Sequence, residues 1–250
     1  DIVVEQCEQD GLEPMSINPV VGECNDSRIN QIQKRVVGAD EVRQAFASAS
    51  EEFEEGDVGA GAGTICYGLK GGIGSASRVI RIGEKEYTIG VLVQSNFGAT
   101  EDFVLNGESV GAKILDWKQE KDDMAASEED KGSIMSILAT DLPLTSRQLR
   151  RILRRTGVGI ARTGGYTGHG SGEVMIGFTT ANRIPSGAEE ELLQIQAIPE
   201  HVINRAFLAA AEAEQEAILN SMTAAERTRG QAGELYYSLS EYLEDQDSKQ

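Results

Sequence analysis

The residues best placed to do chemistry are Gly132-Ser133, a small residue and a hydroxyl set between a charged stretch and an apolar run. Upstream, Gln119 to Lys131 is too polar and too aperiodic to pack, so it reads as an exposed connector. Downstream, Ile134 to Ala139 has the composition and length of a buried strand. A cut before Ser133 would leave a hydroxyl residue carrying its own base, because a free α-amine with a pKa of about 8 takes up protons at neutral pH. Taken alone, Gly-Ser has a plainer reading as an ordinary loop-to-strand transition. A second pair, Ser171 and Glu173, lies two residues apart where another strand begins, so both side chains share one face there. Histidine chemistry has little to work with. His201 follows Pro199-Glu200 at a helix start and His169 sits in a glycine-rich loop, so neither a Ser-His-Asp triad nor a His-rich metal site is expected.

The elements that must position these groups follow from periodicity. A helix is predicted from Asp40 to about Glu55, with Gly56 after its end. Arg78 to Ile82 and Tyr87 to Gln94 read as paired strands joined at Gly83-Glu84-Lys85. Thr145 and Gln148 have the spacing of a capping box, opening a helix that Gly157 is expected to stop. Glu173 to Thr180 is another strand, and a long helix with Ala206, Ala209, Ala213 and Ala217 on one face follows Pro199. The tail from Glu244 is expected to fray. Mixed runs without strict βαβ alternation predict an α+β layered fold.

Composition narrows the partners. The 250 residues carry a formal charge of -18, which disfavours nucleic acid, since phosphate affinity comes largely from Lys and Arg. The basic cluster Arg147, Arg150, Arg151, Arg154 and Arg155 reads as the solvated face of a helix. No apolar run is long enough to span a membrane, so no membrane partner is expected. Cys7, Cys24 and Cys66 form an odd, unpatterned set, and the N-terminal residues do not read as a signal peptide; both suit a cytoplasmic protein. Gly59-Ala60-Gly61-Ala62-Gly63-Thr64 fits neither GxGxxG nor a P-loop, and tight turns explain its glycines better than a nucleotide does.

Taken in order, Lys70-Gly71-Gly72-Ile73-Gly74-Ser75-Ala76-Ser77-Arg78, Val93-Gln94-Ser95-Asn96-Phe97-Gly98, Gly132-Ser133-Ile134, Ala139-Thr140-Asp141-Leu142-Pro143-Leu144 and Gly170-Ser171-Gly172-Glu173 resemble the successive signatures of the L-aminopeptidase/D-esterase family, which includes β-peptidyl aminopeptidases. The resemblance runs from about Asn18 to the end of the long helix. It implies an α+β, αββα four-layer sandwich of the N-terminal-nucleophile-hydrolase kind, a single catalytic domain over 1–250 that cuts itself into 1–132 and 133–250. The family usually carries a long further segment ahead of the part matching Asn18, so the expectation includes an incomplete N-terminal part.

By the same resemblance, Ser133 is the nucleophile, with the Gly132-Ser133 bond as the cleavage site. Asn96 matches the oxyanion-stabilising asparagine, and Ser171 with Glu173 matches the pair that bonds to the nucleophile and tunes its amine. Glu23 falls where a glutamate faces the substrate's amino group; Asn25 stands where some relatives carry a tyrosine. The implied activity is release of N-terminal amino acids from small peptides, amides or esters, extending to β-amino acids or D-amino acid esters, with no metal and no organic cofactor. A homo-oligomer of processed heterodimers is expected. An acyltransferase or amide hydrolase of similar self-cleaving architecture, and a non-catalytic scaffold, stay open as alternatives.

Overall fold

A computed structural model of the chain describes residues 1–14, 16–121, 132–184 and 192–249. Its helices are α1 (Ile2–Gln9), α2 (Ala39–Ser48), α3 (Gly111–Glu120), α4 (Ser146–Leu153), α5 (Thr156–Arg162), α6 (Asn204–Thr223) and α7 (Leu239–Ser248). Its strands are β1 (Ile65–Cys66), β2 (Leu69–Lys70), β3 (Gly72–Ile82), β4 (Lys85–Asn96), β5 (Val104–Leu105), β6 (Glu108–Ser109), β7 (Ser133–Thr140), β8 (Gly172–Thr179), β9 (Thr228–Arg229) and β10 (Leu235–Tyr236). The architecture is α+β, as the sequence predicts. The connector read at Gln119 to Lys131 begins later than expected, because Gln119 and Glu120 complete α3; from 122 to 131 it lies outside the described residues.

One sheet of four strands, ordered β3-β4-β7-β8, carries the candidate site at one end. The first two pairings are antiparallel, and β7 pairs with β8 in parallel. Burial along β7 alternates residue by residue, so Ile134, Ser136, Leu138 and Thr140 face the helices while Ser133, Met135, Ile137 and Ala139 take the other face. Among the described residues, the sheet and the helices on this one side supply two of the four layers of an αββα sandwich. On the opposite face Val79, Val174 and Phe178 are 63%, 48% and 50% exposed.

Helix α6 crosses β3 and β4 with small residues against the sheet, Ala206, Ala209, Ala210, Ala213 and Ala217 all being buried. The approach is close enough that a Cβ on Gly74 would overlap the Ala217 carbonyl oxygen and lie 2.8 Å from Ser221 Cβ. The outer edge of β3 is blunted by side chains: Glu55 Oε1 accepts from Ser75 N–H at 2.6 Å and Asn220 Nδ2 donates to Ser75 O at 2.8 Å. Occupied backbone groups leave less for a foreign strand to pair with.

Several boundaries differ from the sequence reading for identifiable reasons. Helix α2 ends at Ser48 rather than near Glu55, and none of its residues is buried, so no packing supports a longer run. Thr145 and Gln148 do form the reciprocal capping box, with each backbone N–H donating 3.2 Å to the other's side chain. That helix ends at Leu153, before Gly157, because the Thr156 hydroxyl donates to Leu153 O at 2.8 Å and opens α5. The tail does not fray at Glu244. Ser238 and Glu241 cap α7, and Leu239 and Tyr242 bury its inner side. The arginine cluster is a largely surface-facing ridge in which Arg147 and Arg151 both pair with Glu200 and Arg155 stacks over Phe207.

Candidate active site

Ser133 opens β7 between two neighbours in register, Asn96 at the end of β4 and Gly172 at the start of β8. Antiparallel partners share a face, so Ser133 and Asn96 project on the same side of the sheet. On the other flank, Gly172 contributes no side chain, and a Cβ built there would lie 3.4 Å from Ser133 Oγ. The hydroxyl therefore has room on the β8 side. Among the described residues it makes no hydrogen bond. The upstream peptide is held tightly, with Gly172 N–H donating 3.1 Å to Gly132 O and Gly132 packed against the Asn96 carbonyl.

The Asn96 amide is fixed at both ends. Its Oδ1 accepts from Ile65 N–H at 3.0 Å and its Nδ2 donates to Asn25 O at 3.1 Å. An amide nitrogen carries two hydrogens, so this arrangement defines which end is the donor and leaves one hydrogen for another acceptor. Burial to 7% exposure keeps water from competing strongly for it. The geometry is that of a preorganised donor beside a hydroxyl.

The chain from Gly22 to Asn25 lies along this end of the sheet. Gly22 packs on the Met135 side chain, Cys24 Sγ approaches Ser133 O at 3.6 Å and Gln94 O at 3.7 Å, and Asn25 O meets Asn96. Glu23 is thereby carried beside the site with its side chain exposed. Asn25 reaches the site through its backbone carbonyl. Its side-chain oxygen instead accepts from Ser27 N–H at 3.0 Å, so the amide is committed to a local turn.

Cys24 was not marked by any spacing in the sequence, and its role depends on contacts 70 and 109 residues away. Burial pushes its thiol up to about 11, with the Glu23 and Asp26 charges adding to the rise and the Met135 backbone opposing it. At neutral pH it is a thiol and a weak donor rather than a nucleophile.

Ser171 and Glu173 are joined, with Ser171 Oγ donating to Glu173 Oε1 at 2.5 Å. They flank Gly172, the register partner of Ser133, and so lie at the site's edge. Among the described residues no hydrogen bond links either of them to Ser133. Strand alternation explains this, since residues one step either side of Gly172 point to the opposite face from Ser133's partner. His169 and His201 are both exposed. No group of three or more His, Cys, Asp or Glu among the described residues is arranged to hold a metal ion. No described helix is long and apolar enough to cross a membrane.

At this end of the sheet a serine thus lies in register with an amide whose donor end is fixed, and comparisons with known proteins give the family in which that arrangement occurs. The sequence profile of Peptidase family S58 matches residues 1–236, and the chain belongs to that family. It is 36% identical over 220 residues to the β-peptidyl aminopeptidase BapA of Sphingosinicella xenopeptidilytica, covering 85% of this chain and 55% of that protein. In structure it resembles the PH0078 protein of Pyrococcus horikoshii OT3, with a TM-score of 0.85 and 45% identity over 97% of this chain and 65% of the other. It also resembles the L-aminopeptidase D-Ala-esterase/amidase of Ochrobactrum anthropi, a serine aminopeptidase described as a variant of the Ntn hydrolase fold. That match has a TM-score of 0.78 and 35% identity, over 88% of this chain and 60% of the other. The chain thus spans between 55% and 65% of the length of these relatives.

Proposed function

We propose that this chain carries the catalytic centre of a serine aminopeptidase that cuts its own Gly132-Ser133 bond and then releases N-terminal amino acids from small peptides, amides or esters. The observation that carries the reading is the in-register row Asn96, Ser133 and Gly172 across three adjacent strands. In the first reaction Ser133 Oγ attacks the Gly132 carbonyl carbon, and its proton passes to the departing Ser133 nitrogen. The bond from Gly172 N–H to Gly132 O at 3.1 Å supports this step, because it polarises the carbonyl and favours negative charge on its oxygen. Water then hydrolyses the ester, leaving residues 1–132 with a carboxylate and residues 133–250 with a free amine.

In turnover the freed amine accepts the Ser133 hydroxyl proton while Oγ attacks the substrate carbonyl. Asn96 Nδ2 offers its remaining hydrogen to the oxygen that becomes negative. The Ser171-Glu173 pair sets the electrostatics of the amine, since a carboxylate nearby stabilises its charged form. Glu23 faces the substrate's ammonium and contributes to the preference for a terminal residue, since an internal peptide nitrogen is uncharged and gains nothing from the carboxylate. The similarity to a β-peptidyl aminopeptidase favours β-amino acids among the substrates, and the similarity to a D-Ala-esterase/amidase favours small residues. Assembly as an oligomer of cleaved pairs belongs to the same proposal.

Intact-mass analysis tests the reading. Wild type gives fragments 1–132 and 133–250 and releases p-nitroaniline from alanyl or β-alanyl anilides. Ser133→Ala stays whole and inactive. A wild type that remains uncut and inactive, although folded, sinks the proposal.

A further inference from the structure

Lys70 is fully buried, yet it belongs neither to the nucleophile nor to its donors. A buried ammonium is costly unless its hydrogens find acceptors, so its partners indicate what the charge is for. Lys70 Nζ donates to Gly61 O at 2.8 Å and to Gly71 O at 2.7 Å. These carbonyls lie just before β1 and just after β2, the two arms of the hairpin that turns through Tyr67 and Gly68, both at positive φ. Within that hairpin the register partner of Lys70 is Ile65. Ile65 supplies the N–H that holds Asn96 Oδ1.

Thr64 completes the frame. Its hydroxyl also donates to Gly61 O at 3.0 Å, and its carbonyl accepts from Gly71 N–H at 3.0 Å. The Gly71–Thr64 bond before Ile65 and the Cys66–Leu69 pairing after it tie the two arms together, and a Cβ on Gly71 would overlap Ser95 O, so this frame rests directly on the end of β4. An amide can rotate by half a turn and exchange its oxygen and nitrogen. The Asn25 carbonyl opposes a flip from one end and the Ile65 N–H from the other; loosening Ile65 removes one of these two restraints and admits the flipped amide, which presents an acceptor to a developing oxyanion. We infer that Lys70 is a positioning residue that sets the orientation of the Asn96 amide through the Gly61, Gly71 and Ile65 backbone. The inference rests on the proposed role of Asn96 as oxyanion donor. Burial lowers the Lys70 pKa to about 8, with Asp57 and Asp26 opposing, and the ammonium form persists at neutral pH.

Lys70→Met, close in shape but without donors, tests it in purified protein through two independent readouts. Hydrogen exchange at Ile65 N–H accelerates by about 10-fold or more while the global unfolding transition is kept, and the Asn96 side-chain NH2 resonances move. In anilide hydrolysis kcat falls by about 10-fold or more with KM within about 2-fold, whereas in an Asn96→Ala background the same change costs less than about 2-fold. Losses that multiply in the double variant, or unchanged Ile65 exchange, overturn the inference. If the wild type proves to have no peptidase activity, the proposed function fails, while exchange at Ile65 and the Asn96 resonances still decide whether Lys70 orients the amide. Should Lys70→Met not fold, the near-isosteric Thr64→Val removes one tie to Gly61 O and gives the same pattern at smaller size; no change at Ile65 or in kcat in that variant counts against the frame.

Discussion

Gly132 approaches Asn96 so closely that the space a Cβ would need is already filled by the Asn96 carbonyl oxygen, with Phe97 Cα 2.7 Å away. Any side chain at 132 must push β7 away from β4 at the bond proposed to be cut. Gly132→Val is expected to slow self-cleavage by about 10-fold or more and to cost about 1–3 kcal/mol of stability, as overpacking generally does. Time-resolved intact mass after refolding checks the first effect and urea unfolding the second. Processing at the wild-type rate would remove this close approach from the account of the cut while leaving Ser133 as the proposed nucleophile.

Asn96→Ala separates the donor from its scaffold. The loss of one oxyanion donor typically costs about 2.7–4 kcal/mol of barrier, so kcat should fall about 100- to 1,000-fold with little change in KM. Asn96→Asp should do no better, since it puts an oxygen where Nδ2 now meets the Asn25 carbonyl. Steady-state kinetics on cleaved enzyme, compared at matched thermal stability, decides the matter; equal falls in binding and turnover would assign Asn96 a structural role instead.

How much of this was visible in the residues alone depends on the range of the interactions. Local signals were readable: the Thr145-Gln148 cap, the short apolar run that became β7, and the turn joining β3 to β4. The Ser238-Glu241 cap is equally local and was present to be read, yet the polar tail masked it. The site motifs could be ordered along the chain, but their relative placement is set by sheet register. Ser171 and Glu173 share a face with each other and not with Ser133, a consequence of parallel pairing through Gly172 that spacing cannot reveal. Cys24 carried no pattern, and Lys70, although it opens one of the signatures, gave no sign of being buried, because the contacts of each form only once the chain folds their carbonyl partners around them. Glu214 was hidden for the opposite reason, as a single carboxyl inside an alanine-rich helical stripe.

Glu23 offers a test of terminal selectivity. Because it is exposed, its pairing with a substrate ammonium should be worth what surface ion pairs are worth, about 0.2–1 kcal/mol. Glu23→Gln is therefore expected to raise KM for free-amine substrates by about 1.5- to 5-fold and leave kcat nearly unchanged. N-acetylated analogues carry no charge at that position and should not respond. A change in kcat alone would move Glu23 from binding into the chemistry.

Glu214 couples stability to pH. It is fully buried under β7, where Ser136 Oγ donates to its Oε1 at 2.5 Å, and its Oε2 has no partner among the described residues. Tight packing leaves the acid little room to recruit water, since a Cβ on Gly159 would lie 2.6 Å from Glu214 Cβ. Burial raises its pKa from 4.5 to about 8, with the Ser136 bond pulling the other way. Between those values the folded chain holds a proton that the unfolded chain has released, so stability must fall as pH rises through this window. The contribution is complete below about pH 4.5 and lost by the time pH has passed about 8. Glu214→Gln keeps an oxygen for Ser136 but cannot ionise. Its Tm relative to wild type should therefore climb by several degrees between about pH 5 and pH 9, a difference that cancels the many other carboxylates of the chain. Melting curves of the two proteins in matched buffers measure it, and a pH-independent offset would show that Glu214 is either ionised throughout or solvated in the native state.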